Sequence, residues 1–186
     1  MNRLKNHITY LVGPMDEAHD RGHGWREDIS TFLWNNDIGV LNPCDKPSDM
    51  GDESDDTFEL ISRWKESEEY DLVTRAMSPI GKIDLHMVDL ANFIIMKVDK
   101  DIHMCGSYFE ACYASLEKKP VVVFCEQGKK KMPNWLFSMG LRHRMFFNSL
   151  DEVKMYIKHI CYDSVIDNLG RWRFIDYKKV FNRHHD

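Results

Sequence analysis

The stretch HITYLVG, residues 7–13, is a short apolar run rich in β-forming residues, and Pro14 follows it directly. A run of this length that ends at Gly-Pro is typical of a buried strand. Two later segments have the same character, FIIMKV at 93–98 and VVVFC at 121–125. Continuous apolar runs of this kind predict strands that are covered on both faces, as in a parallel sheet.

Helical patterns separate these strands. The predicted order is strand 7–13, a helix through residues 29–33, strand 38–41, an exposed acidic loop 45–56, helices 57–77 and 80–90, strand 93–98, helix 107–116, strand 121–125, a short helix 135–139, strand 145–147 and helix 150–161. Alternating strands and helices imply βαβ units. We therefore expect an α/β fold, a flavodoxin-like, doubly wound sheet of five parallel strands with its ligand crevice at the carboxyl ends of the strands.

The domain predicted from this order spans residues 1–161 and carries a helical insertion at about 45–82. Residues 162–186 are aromatic and basic, and we expect this C-terminal extension to pack on the domain or on an oligomer partner. Over 186 residues the hydrophobic fraction is 43% and the net charge is −5, which fits a soluble globular protein. A general nucleic-acid binder carries a basic surface, so nucleic acid is not an expected partner.

The five cysteines are odd in number and form no CxxC pair. This usage, without a signal peptide, predicts reduced thiols and a cytoplasmic location. No run approaches the roughly 18 apolar residues of a membrane span, so a membrane is not an expected partner either.

The segment CGSYFEACYA, residues 105–114, is the most informative for chemistry. Gly106 allows a sharp turn, and S-x-x-E from Ser107 to Glu110 matches a capping box, in which the two side chains satisfy backbone amides. The same spacing also suits catalysis, because a carboxylate in the first helical turn faces the crevice and is kept ionised by the helix N-terminus. Such a carboxylate can attack C1′ of a sugar and form a covalent glycosyl-enzyme. A nucleophilic thiol at Cys105 is a third, weaker interpretation.

Several motifs occur together in a characteristic order: YLVGP at 10–14, Asp84 eight residues before Asn92, GSYFE at 106–110 and KPV at 119–121. In this combination the chain resembles the nucleoside 2-deoxyribosyltransferases and the related deoxynucleotide N-glycosidases. The resemblance covers roughly residues 7–160.

The resemblance implies a role for individual residues. Glu110 matches the family nucleophile, Asp84 the residue that contacts or protonates the base, and Tyr10 a tyrosine near the nucleophile. The turn Gly13-Pro14-Met15 matches a loop that lets the base approach the backbone. Two simpler interpretations stay open, a surface carboxylate beside Lys82 for Asp84 and a core tyrosine for Tyr10.

The chain departs from the family pattern in two places. Met104 stands six residues before Glu110, where the transferases usually have an aspartate that holds sugar hydroxyls, and Asn92 stands where many relatives have an aspartate. Candidates to replace the missing sugar ligand are His103, Asp99 and Asp101.

The loop HDRGHGWR, residues 19–26, offers donors for an anion. Arg21, His23 and Arg26 suit the 5′-phosphate that nucleotide-cleaving relatives hold near this loop. The alternative is a polar surface loop with Trp25 packed against the core. His19 and His23 lack a third ligand at convincing spacing, so no metal is expected.

These observations predict an enzyme that cleaves or transfers the N-glycosidic bond of a (deoxy)nucleoside or nucleoside 5′-monophosphate, with no cofactor. Its expected partner is that small molecule, and the resemblance implies a homo-oligomer, a dimer or larger. One alternative is a non-catalytic protein that binds a nucleotide or an ADP-ribose-type ligand, which Met104 favours. Another is an NAD-cleaving glycohydrolase, which also uses a glutamate on a flavodoxin-like sheet.

Overall fold

The computed structural model describes residues 2–15, 18–47, 51, 53–139, 143–162 and 172. The strands are β1 Ile8–Val12, β2 Gly39–Leu41, β3 Phe93–Lys97, β4 Val121–Phe124 and β5 Phe146–Phe147. The α-helices are α1 His23–Trp34, α2 Asp55–Glu66, α3 Tyr70–Leu90, α4 Cys105–Leu116, α5 Asn134–Ser138 and α6 Leu150–Tyr162. Short 3₁₀ helices occupy Pro43–Asp45, Lys129–Lys131 and His143–Met145.

The sheet has the order β2-β1-β3-β4-β5, and every neighbouring pair of strands is parallel. This is the flavodoxin-like, doubly wound arrangement that the sequence predicts. Chain order reverses beside β1, so β1 and β3 flank the switch point. The crevice at their carboxyl ends is where such folds place ligands.

The pleat of the strands divides the core into two layers, since alternate residues of a strand point to opposite faces. On one face, Leu11, Ile95 and Phe124 pack with residues of α1 and α6. On the other face, Tyr10 and Met96 pack with residues of α3 and α4. Tyr10 therefore lies on the same side of the sheet as the helix that carries Glu110.

The helical insertion differs from its predicted division. The structure has a break at residues 67–69, where Glu68 adopts a φ of 59°, and α3 then continues to Leu90 with Pro79 inside it. The predicted helices 57–77 and 80–90 are therefore wrong in their boundaries. Positions with a positive φ favour glycine or asparagine, so a glutamate at such a position does not mark the helix break in the sequence.

The acidic segment 45–56 is exposed at most of its described residues, as predicted, but it differs from a simple loop at its two ends and at Lys46. Residues 43–45 form a 3₁₀ helix, α2 begins at Asp55, and the side chain of Lys46 is only 3% exposed. Two carboxylates pair with this buried ammonium group, as described below.

Of the C-terminal extension, only Tyr162 and Trp172 belong to the described residues, and the prediction for the rest of 162–186 lies outside them. The Trp172 ring packs against Phe93 with 5.2 Å between centroids. Its indole N–H donates to the Tyr156 hydroxyl at 3.0 Å. Among the described helices, none combines the length and the hydropathy that a bilayer crossing requires.

Candidate active site

Glu110 lies in the second turn of α4, because this helix begins at Cys105 with Met104 as its N-cap. No side chain caps the helix, so the predicted capping box between Ser107 and Glu110 is wrong. The box requires the serine at the N-cap, whereas Ser107 lies inside the first turn. The Glu110 side chain is therefore available for contacts outside its own helix.

The partner of Glu110 is Tyr10, which lies 100 residues earlier in the chain. The Tyr10 hydroxyl donates a buried hydrogen bond to Glu110 Oε1 at 2.9 Å. Burial and the charge of Glu110 raise the pKa of Tyr10 well above its usual value, so the phenol stays a donor. Tyr10 is therefore a core residue, 1% exposed, and also the hydrogen-bond donor to the Glu110 carboxyl group.

The charge state of Glu110 differs from the sequence-based expectation. Burial, together with the negative charge of Asp84, raises its pKa to about 8, although the Tyr10 hydrogen bond and nearby cations oppose the shift. Burial and the Asp84 charge therefore outweigh the helix N-terminus, which we expected to keep Glu110 ionised. Near neutral pH the carboxyl group is mostly protonated, with about a tenth ionised at pH 7.

Asp84 projects from α3 and is paired with Lys46. The Lys46 ammonium donates to Asp84 Oδ1 at 2.7 Å and lies 2.6 Å from Glu53 Oε2. Burial opposes the lysine charge, but the hydrogen bonds to Asp84 and Glu53 outweigh it and raise the pKa of Lys46. Asp84 therefore belongs to a partly buried ion-pair network and is not the surface carboxylate of the simpler interpretation.

A cavity of about 590 Å³ opens beside these groups at the carboxyl edge of the sheet. The structure brings most of the predicted site residues to its wall, namely Tyr10, Gly13, Pro14, Met15, Arg26, Asp84, His103, Gly106, Ser107 and Glu110. A volume in this range suits a small organic molecule. Arg21 and His23 instead line a smaller neighbouring cavity of about 330 Å³, which shares Met15, Pro43 and Glu53 with the larger one.

Arg26 is fully buried, and its guanidinium group holds the loop after β1. It donates to the carbonyl oxygens of Gly13 and Gly22 at 2.9 Å, and more weakly to those of Leu11 and Pro14. These bonds define the backbone path of Gly13-Pro14. They also use four of the five N–H donors that we expected to bind a phosphate, so the structure gives Arg26 a role in shaping the cavity wall.

The other predicted phosphate ligands have partners of their own. Arg21 pairs with Asp55 at 3.2 Å and lies over the Phe58 ring. At the start of α1, Asp20 accepts hydrogen bonds from the amides of Gly22 and Gly24 at 2.9 Å, which with a lesser contribution from Lys97 lower its pKa against the effect of burial. An internal carboxylate thus already occupies this helix N-terminus, while His23 is exposed at the smaller cavity.

Three residues were candidates to replace the missing sugar ligand, and only one of them lines the larger cavity. His103 lies on its wall, whereas Asp99 accepts from Gln127 at 2.6 Å and Asp101 pairs with Lys100. The Met104 side chain is buried at 3% exposure, and its sulfur accepts from the Asp99 amide at 3.2 Å.

Sequence reasoning missed Lys46 and Glu53, which complete the network around Asp84. A signal was present, because Lys46 is the single cation within the acidic stretch 45–56. Within the described residues, no group of three His, Cys, Asp or Glu side chains is arranged to hold a metal ion. Trp25 packs in the core, edge-on to Phe124 at 5.5 Å, as the polar-loop alternative required.

No protein-family model and no curated protein matches this sequence. Among solved structures, a 2-desoxiribosyltransferase from Leishmania mexicana is similar, with a TM-score of 0.53 and 17% identity over 82% of this chain and 98% of that chain. A CMP N-glycosidase, BcmB, from Clostridium botulinum matches with a TM-score of 0.46 and 13% identity over 81% of this chain and 98% of that chain. The first of these similarities shows that the fold is shared.

Proposed function

We propose that this protein cleaves or transfers the N-glycosidic bond of a (deoxy)nucleoside or nucleoside 5′-monophosphate, with the Glu110 carboxylate as nucleophile. The observation that carries the proposal is the position of Glu110, a buried carboxyl group on the wall of a 590 Å³ cavity, bonded to Tyr10 and near Asp84. A buried acid with a raised pKa in a cleft is a recognised mark of a functional site. The similar structure named a 2-desoxiribosyltransferase supports this reaction class.

In the first step, a Glu110 oxygen forms a bond to C1′ while the bond from C1′ to the base nitrogen breaks. The bonding electron pair leaves with the base, which takes up a proton from solvent or from an acid in the cavity. The ring passes through an oxocarbenium-like state, and a covalent glycosyl-enzyme results.

In the second step, water or a second base attacks C1′ and the bond to Glu110 breaks. The attacking group loses a proton, and Glu110 recovers its carboxylate. Water gives a free sugar and therefore a hydrolase, whereas a second base gives a new nucleoside and therefore a transferase. Both outcomes use the same protein groups.

Tyr10 orients the nucleophile in this mechanism. Its hydrogen bond at 2.9 Å holds one oxygen of Glu110, and the second oxygen is directed at C1′. Asp84 contacts the base and orients it while the bond to C1′ breaks. The loop Gly13-Pro14-Met15, whose path Arg26 defines, provides the surface on which the base lies.

The test is incubation with deoxynucleosides and deoxynucleoside 5′-monophosphates, with and without an acceptor base, and chromatographic detection of free base. Glu110→Gln should lower release by on the order of a thousandfold or more, since removing a nucleophile costs most of the catalysis. Glu117→Gln, a change at the opposite end of the same helix, is the matched control. If no substrate yields a free base, or if Glu110→Gln keeps wild-type activity, the proposal is wrong.

One observation favours a second function, a binding protein for a nucleotide or ADP-ribose-type ligand. A Glu110 that is mostly neutral at pH 7 serves well as a hydrogen-bonding group and less well as a nucleophile. Melting-temperature shifts across a nucleotide panel without product would support binding alone. Release of nicotinamide from NAD would identify the glycohydrolase instead. The homo-oligomer and the cytoplasmic location stay predictions.

A further inference from the structure

The ion-pair network presents one kind of polar group to the larger cavity. Glu53 and Asp84 both line that cavity, whereas Lys46, which bridges them, lines only the smaller one. The lysine side chain is 3% exposed and the Asp84 side chain 17%. The cation therefore lies away from the larger cavity, and the side chains of the two acidic residues form part of its wall.

Two buried donors on this wall, Tyr10 and Arg26, have partners within the protein. The Tyr10 hydroxyl donates to Glu110, and the Arg26 guanidinium donates to backbone carbonyls. A carboxylate in an ion pair with Lys46 is an acceptor only. A ligand group that meets Asp84 thus finds an acceptor and must itself supply an N–H.

We propose that Asp84 selects bases that carry an exocyclic amino group, such as cytosine and adenine, over their oxo counterparts uracil and hypoxanthine. This inference rests on the proposed function, in which Asp84 contacts the base. An amino group donates to the carboxylate, whereas an oxo group at the same position sets two acceptors against each other. Sites built to accept a hydrogen bond discriminate strongly, because the mismatch leaves buried polar groups unpaired.

Lys46 is a positioning residue in this account. It keeps Asp84 as an acceptor, and it determines what an isosteric amide does at that position. In Asp84→Asn the amide oxygen faces the Lys46 ammonium, which requires an acceptor at 2.7 Å. The amide NH₂ group then faces the cavity and favours the oxo bases.

The experiment measures kcat/KM for deoxycytidine against deoxyuridine and for deoxyadenosine against deoxyinosine. The wild type should prefer the amino member of each pair by about tenfold or more. In Asp84→Asn both ratios should fall by about tenfold or more. Asp89→Asn, on the same helix but at an exposed position bonded to Tyr113, should keep the wild-type ratios. Each ratio is taken within one protein sample, so a partly unfolded variant does not distort it.

Equal use of both members by the wild type, or a preference for the oxo bases, overturns the inference, and so does an unchanged ratio in Asp84→Asn. Lys82 is the rival donor, since it also lines the cavity from an exposed position. If Lys82 set the specificity, Lys82→Met would change the ratios, and we expect it to leave them unchanged. If Asp84→Asn does not fold, the wild-type ratios alone test the inference.

Failure of the proposed function is separable from failure of this inference. If no nucleoside is cleaved, calorimetric titration with the free bases still measures recognition by Asp84. Tighter binding of cytosine and adenine than of uracil and hypoxanthine, by about tenfold or more, supports the inference. Equal binding of the two classes overturns it.

Discussion

The Tyr10 hydroxyl donates to the Glu110 carboxyl group at 2.9 Å, and this bond joins the first strand to a helix 100 residues later in the chain. Both residues are buried, with Tyr10 1% and Glu110 8% exposed. Burial and the neighbouring charge of Asp84 raise the pKa of Glu110 to about 8, so this acid titrates near neutral pH.

Activity should depend on the ionisation of Glu110. Because burial and Asp84 raise its pKa to about 8, the nucleophilic form increases with pH and reaches one half near that value. We expect kcat/KM to rise about tenfold per pH unit below pH 7 and to level off at about pH 9. A pH–rate profile that falls over this range would instead make Glu110 a general acid.

Tyr10→Phe should move this profile to higher pH. Burial and Asp84 still raise the pKa of Glu110 in the variant, but the tyrosine hydrogen bond that lowers it is lost. The midpoint should shift upward and activity at pH 7 should fall, while activity at high pH recovers in part. Tyr113→Phe, which removes an exposed hydroxyl bonded to Asp89, is the control and should leave the midpoint in place.

Glu110→Gln should stabilise the protein at alkaline pH. The ordinary pKa of a glutamate is 4.5 and the folded value is about 8, so the folded chain keeps a proton that the unfolded chain loses. The wild type therefore has its full stability below pH 4.5 and loses stability as the pH rises to about 8. The variant lacks this loss and should gain up to about 5 kcal/mol over the wild type between pH 4.5 and 8. Urea unfolding at several pH values measures the difference, and a pH-independent difference would contradict the buried, raised acid.

Arg26→Lys should destabilise the protein by roughly 2–4 kcal/mol, although the charge is kept. A lysine ammonium cannot reach the carbonyl oxygens of Gly13, Gly22, Leu11 and Pro14 with the planar geometry of a guanidinium group. Buried carbonyls would then lack donors. Arg63→Lys, at an exposed position of α2 paired with Glu59, should change the free energy of unfolding by less than about 0.5 kcal/mol.

Gly13→Ala should cost stability through overpacking. A Cβ atom at this position would lie 2.9 Å from Trp25 Cζ2 and 3.2 Å from Lys97 Cβ, and the Trp25 ring is fixed in the core. We expect a loss of about 1–3 kcal/mol. A Cβ at Gly81, inside α3, meets nothing within 4 Å, so Gly81→Ala should be neutral or stabilising by up to about 1 kcal/mol. A comparison of the two midpoints in denaturant tests the clash.

The strands could be predicted because each is a short apolar run with a clear end. The segment FIIMKV matches β3 at Phe93–Lys97, and VVVFC matches β4 at Val121–Phe124. The helix break at Glu68 was not predictable in the same way, because no glycine or proline marks it. The hydrophobic pattern of the sequence therefore predicted the strand positions better than it predicted where one helix ends and the next begins.

The capping box shows why a motif alone did not decide the site. Ser107 and Glu110 have the right spacing, but α4 begins two residues earlier, which moves both side chains along the helix. Glu110 then meets Tyr10, whose direction follows from the pleat of β1. The spacing of two residues predicts which backbone groups their side chains can reach only when the first residue of the helix is known.

The sequence by itself determined the α/β class and the parallel strands, because hydrophobic periodicity is a local property, and its motifs located most of the residues that line the larger cavity. Only the tertiary structure decided the charge of Glu110, the burial of Lys46 between Asp84 and Glu53, and the use of Arg26 as a support for the loop. Those properties arise where residues far apart in the chain meet away from water. Lys46 and Asp84 are 38 positions apart, and their pairing depends on burial that no short stretch of sequence specifies.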